Sequence, residues 1–145
     1  LQRLMKTLLI AFTTICAFLG TYFLKLTADN FEQFLAIVSV VTLDGFFGVW
    51  AGTKKEGFQT RKALKVIKTL VGWVVILAVV LLVEKGFDGT FWLSETVCAP
   101  FILFQLISAL KNAHTVGVID NSVLSQVLEK IDKHKFNHNN EKPLD

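Results

Sequence analysis

Four uncharged or nearly uncharged runs alternate with short polar segments along this chain, and that alternation sets its architecture. The runs cover about residues 7–24, 31–52, 69–83 and 96–110. A membrane-crossing helix needs roughly 20 mostly apolar residues, with a range near 17–25. The first two and the last are long enough or nearly so, while Leu70 to Val83 is the most hydrophobic and gains reach from snorkelling Lys68 and Glu84. Residues 1–112 are therefore read as a four-span membrane domain. After Gly117 the period changes: Val123, Leu124, Val127, Leu128 and Ile131 recur at helical spacing with Glu129, Lys130, Asp132 and Lys133 between them. This predicts an amphipathic helix over 113–136, capped by Asp120 or Asn121, with a polar tail over 137–145. The fold class expected is all-α: four transmembrane helices and a short cytoplasmic C-terminal amphipathic helix.

Composition agrees. Apolar residues make up 52 % of the chain and charged residues 19 %, against about 25 % charged in soluble domains. The chain opens LQRLMKTLL, with Met5 as one candidate start, and Thr7–Leu24 is read as a retained span, because the region around Phe18 lacks a small-x-small cleavage site.

Charge orients the spans. Lys54, Lys55, Arg61, Lys62, Lys65 and Lys68, against Glu56, give the expected loop at 53–68 a charge of +5, more than the +3 of the whole chain. The turns at 25–32 and 84–95 instead hold Lys25 and Lys85 against Asp29, Glu32, Glu84, Asp88 and Glu95. Basic residues mark cytoplasmic loops, so both termini are expected in the cytoplasm. The six basic residues are expected to meet anionic lipid headgroups. Nucleic acid is not expected as a partner, because the excess charge lies beside membrane spans.

Asp44 is the residue that calls for explanation. An ionisable group within a span costs at least ~2.5–3.5 kcal/mol at the bilayer centre by insertion scales, so it faces protein or water. It is a candidate pore-lining or gating carboxylate, or else a structural group paired with a loop lysine or an interhelical donor. Gly45, Gly48 and Gly52 share a helical face, as do Ala17 and Gly20 with Thr13 and Thr21; small residues let helices approach closely, within one protomer or between copies. His134 and His138 stand at i and i+4, but no third ligand is near, and no metal or cofactor is expected. Cys16 and Cys98 form no C-x-x-C pair. No nucleophile with an adjacent base, paired catalytic carboxylates or phosphate loop is present, so no enzyme activity is expected.

From Leu43 to Ile131 the chain resembles the toxin-secretion/phage-lysis holins. The resemblance rests on D-x-x-x-G-V at Asp44 to Val49, the small-rich end that follows, Thr60-Arg61-Lys62, Ser108-Ala-Leu-Lys111-Asn112 and Gly117-Val118-Ile119. Departures from the pattern are Asp120 where a proline is common, Val66 where a glycine is common, and Gln105 where many members carry an acid. The resemblance implies a protein of the bacterial cytoplasmic membrane that homo-oligomerises into lesions and releases a muralytic enzyme or toxin. Two other readings are a structural subunit of a larger membrane assembly, held by a protein partner on 121–131, and a small ion channel or transporter.

Overall fold

The computed structural model describes residues 1–57 and 59–140, with side chains up to 134, and every element in it is helical. The helices are α1 (Gln2–Asp29), α2 (Phe31–Glu56), α3 (Thr60–Gly86), α4 (Leu93–Val116) and α5 (Asn121–Asn140). The first four are long and apolar enough to cross a membrane. The shortest of them, α4, has 24 residues, which at 1.5 Å per residue gives about 36 Å against a hydrocarbon core of ~30 Å.

Both polar connections on the α2 side are shorter than their composition suggests. The expected turn at 25–32 reduces to Asn30, whose side-chain amide donates to the Leu26 carbonyl at 2.9 Å as its backbone N–H reaches the same oxygen. The expected loop at 53–68 is helical on both sides of a short break: α2 continues to Glu56 and α3 starts at Thr60. Arg61 to Lys68 are thus the first turns of a membrane-length helix rather than part of a loop. Gly57 closes α2 with φ 81°, a left-handed backbone that a side chain would strain, and its N–H donates to the Thr53 carbonyl.

α2, α3 and α4 form the packed bundle, with α2 contacting α4 most extensively. Its core combines Ile37 and Val41 from α2, Leu77, Ala78 and Leu81 from α3, and Cys98 and Phe101 from α4, with Leu77 at 0 % exposure. Trp73 stacks on Phe101 with ring centroids 3.6 Å apart. Towards the α2–α3 junction the buried residues become small: Gly45, Ala51, Ala109 and Ala113. That change brings the α2 and α4 backbones together where the polar residues lie. By contrast α1 joins the bundle only through its last turns. Leu26 enters the core, Phe23 meets Phe34 edge-on, and Asp29 pairs with Lys85 at 3.3 Å. Every residue of α1 before Leu26 is exposed.

The α3–α4 turn is tied from within. Glu84, expected to snorkel outward, instead accepts a 2.5 Å hydrogen bond from the backbone N–H of Ser94. A carboxylate here satisfies one of the unpaired amides of the α4 N-terminus and complements its dipole. Trp92 Nε1 donates to the Gly89 carbonyl, closing the turn from the other side. At the far end of α4, Gly117 takes φ 86°; its N–H donates to His114 and that of Val118 to Ala113, a Schellman closure. The ring Nδ1 of His114 lies 3.1 Å from the Ile119 carbonyl. α5 then starts on the Asp120 carbonyl, which accepts from Val123 and Leu124, and packs on α4 through the buried Leu124. The expected polar tail is helical to Asn140; residues 141–145 lie outside the described residues.

Glu84→Ala should lower thermal stability in detergent by about 1 kcal/mol, the usual cost of losing a helix N-terminal cap. Asp88→Ala, an exposed change in the same turn, should leave the melting midpoint near wild type in the same circular-dichroism experiment.

Candidate functional site

Asp44 lies on α2 one turn from Gly48, and its Oδ1 accepts a 3.1 Å hydrogen bond from the Nδ2 of Asn112 on α4. Both residues are half-buried. Of the structural partners open from sequence, a loop lysine or an interhelical donor, the geometry supplies the donor. An amide carries no charge to offset a carboxylate, and none of the ion pairs among the described residues includes Asp44.

The pair borders an open cleft of about 380 Å³ between α2, α3 and α4. α2 contributes Asp44, Gly45 and Gly48; α3 contributes Lys62, Lys65 and Thr69; α4 contributes Gln105 and Asn112. The α3 positions recur at helical spacing and so share one face of α3 at the cleft, with the Lys62 ammonium paired to Glu56. Gln105 and Asn112, two turns apart on α4, line the other wall, and Asn112 reaches the carboxylate. Apolar Val41, Val49 and Val66 complete the lining.

The three glycines of α2 have distinct neighbours within the protomer. A Cβ on Gly45 would overlap the γ-methyls of Val66, one on Gly48 would lie 3.3 Å from Asn112 Nδ2, and one on Gly52 would lie 3.0 Å from Lys62 Nζ. Gly45 thus opens room for Val66 directly beside Asp44. Ala17 and Gly20 are exposed, and a Cβ on Gly20 would meet nothing within 4 Å. Among the described residues no other helix covers that face.

The basic residues divide in the same way. Lys54 Nζ donates to the Val116 carbonyl at 3.1 Å, placing a cation on the negative end of the α4 dipole. Lys62 pairs with Glu56 at 3.4 Å across the α2–α3 break, both side chains being largely exposed. Lys65 lines the cleft and is exposed, as are Lys55, Arg61 and Lys68. These contacts bring the α2–α3 break and the α4 exit to one end of the bundle. The Asp29–Lys85 pair brings the α1–α2 and α3–α4 junctions together at the other.

With this arrangement in view, comparison with known proteins gives one match: the model of the bacteriophage holin family covers residues 21–133. The chain belongs to that family. No curated protein and no solved structure matches it. As a holin-family protein with four helices of membrane-crossing length, it is a multi-pass membrane protein, and the family is not one of enzymes. The match takes in the end of α1, all of α2 to α4 and most of α5. It therefore includes the complete Asp44 cleft, and most of the exposed part of α1 lies outside it.

Asn112 and Thr69 were not singled out as site residues from the holin sequence, although both are needed to describe the cleft. A polar residue at the end of a spanning helix reads as interfacial, and only the α2–α4 packing shows that Asn112 turns inward. Among the described residues no three His, Cys, Asp or Glu side chains come together to hold a metal. His138 lies outside the described side chains.

The Gly45–Val66 contact can be tested by a double-mutant cycle. Gly45→Ala should destabilise the fold, since overpacking costs about 1–3 kcal/mol and exceeds the gain in helix propensity. In a Val66→Ala background the overlapping γ-methyls are gone and only the residue-66 Cβ, 3.2 Å away, stays close, so the same change should cost clearly less, offset by up to about 1 kcal/mol of helix propensity. Thermal denaturation in detergent reads the difference.

Proposed function

We propose that this holin-family protein oligomerises in the bacterial cytoplasmic membrane and permeabilises it, releasing a cytolytic enzyme or toxin. The observation that carries the reading is the family match over residues 21–133 on a chain with four helices of membrane-crossing length. Both termini and the basic α2–α3 break face the cytoplasm in this reading, following the positive-inside rule. The outward-facing basic side chains hold that end of each protomer at anionic headgroups.

Asp44 is the gating group in this scheme. In the isolated protomer its carboxylate has one amide partner and an open polar cleft. A charge held in this way within a span gains from a wet lumen, which assembly of several protomers supplies. Ala17 and Gly20 on the uncovered face of α1 offer a close-packing surface for another copy. The α2 glycines are already engaged by Val66, Asn112 and Lys62, which supports packing within the protomer for that face.

Tightly induced expression in a bacterium, with a co-expressed cytoplasmic muralytic enzyme, tests the reading. Expected is a delay, then abrupt loss of membrane potential together with enzyme release. Asp44→Asn should delay the onset further, because a neutral amide removes the charge that favours a hydrated lumen. Continued growth with an intact potential, despite confirmed insertion, would instead favour a non-lytic subunit of a larger membrane assembly.

A further inference from the structure

The polar cleft beside Asp44 contains opposite charges on separate walls, with few partners of their own. Asn112 is the hydrogen-bond partner of the Asp44 carboxylate among the described residues, and no described cation pairs with it. Across the cleft, Lys65 makes no ion pair among the described residues. Lys62 shares only the largely exposed Glu56, an arrangement that contributes little in solvent. Thr69 is also uncommitted. Thr7, Thr14, Thr21, Thr27 and Thr53 each bond back to the carbonyl four residues earlier, whereas Thr69, which lines the cleft, makes no such bond among the described residues.

We propose that this cleft binds the headgroup of a phosphoethanolamine lipid, its phosphate on Lys62, Lys65 and Thr69 and its primary ammonium on Asp44. The volume, about 380 Å³, falls within the ~300–1,000 Å³ typical of small-ligand sites. Charge selects the ligand. A purely anionic headgroup satisfies the lysines and leaves the half-buried carboxylate without a counter-charge, which is costly within a span. A headgroup with a primary ammonium satisfies both walls, and its N–H donors form charge-assisted hydrogen bonds that a trimethylammonium cannot. The lipid source follows from position: the cleft lies near the basic end of three membrane-length helices, with Val41, Val49 and Val66 in its lining. The inference requires insertion in a bilayer and does not require permeabilisation, so its test is separate from the lysis experiment.

The test is native mass spectrometry of the full chain from micelles containing equal amounts of phosphatidylethanolamine, phosphatidylcholine and phosphatidylglycerol with matched acyl chains. Retention of the ethanolamine lipid over the other two should be roughly tenfold, the scale of one charge-assisted hydrogen bond. Asp44→Asn should abolish its preference over the choline lipid, and Lys65→Gln should reduce retention of all three. Equal retention, a preference for phosphatidylglycerol, or an unchanged pattern in Lys65→Gln would overturn the proposal. So would competition by soluble phosphoethanolamine or inorganic phosphate at concentrations matching the lipid, which would assign the cleft to a soluble ligand. Circular dichroism identifies any variant that fails to fold; if Asp44→Asn does so, the Lys65→Gln pattern decides.

Discussion

A carboxylate on an apolar spanning helix must find polar surroundings, and the α2–α4 contact is built around that requirement. Asp44 receives an amide from Asn112, 68 positions away in sequence. For the two to reach hydrogen-bonding distance, the helices must come together near this level. The buried residues around it, Gly45, Ala51, Ala109 and Ala113, are small enough to allow it. Farther along, Ile37, Leu77 and Phe101 fill a wider space. The bundle thus grades from large side chains at one end to small ones beside the polar cleft. The grading and the polar pair are two sides of the same geometry.

The polar end is also where the chain closes on itself. Lys54 reaches the last turn of α4, Lys62 bridges the α2–α3 break to Glu56, and Gly117 turns the chain into α5. A cluster that reads in sequence as a single cationic surface is therefore divided. Some of its charges satisfy helix ends and the break, some line the cleft, and others are exposed. Individually such exposed pairs contribute little. The Lys62–Glu56 pair closes the break locally, and Lys54 joins α2 to the end of α4.

How much of this was legible in the sequence depends on the range of the interaction. Four membrane-length helices and the amphipathic α5 follow from local hydropathy and period, and the structure has all five. Helix ends were less legible, since Arg61 to Lys68 are polar enough to suggest a loop, yet their backbone satisfies its hydrogen bonds as the start of α3. Asp44 could be identified as anomalous because its cost is local. Its partner could not, since Asn112 resembles any amide near a helix end until α4 is placed against α2. Gly45 carries the same lesson: glycine spacing indicates a close approach, but only the packed bundle identifies Val66 as the neighbour.

The single-residue junction at Asn30 has a consequence for assembly order. With everything before Leu26 exposed, most of α1 gains nothing from the other helices, whose core can close without it. In a bilayer its apolar side chains would be solvated by acyl chains, and its last turns are what dock on the bundle. The molecule is mechanically two bodies on a very short tether: a consolidated three-helix block and a pendant rod. The part of the rod ahead of Phe23 can change its neighbours while Phe23, Leu26 and Asp29 hold its last turns to the block.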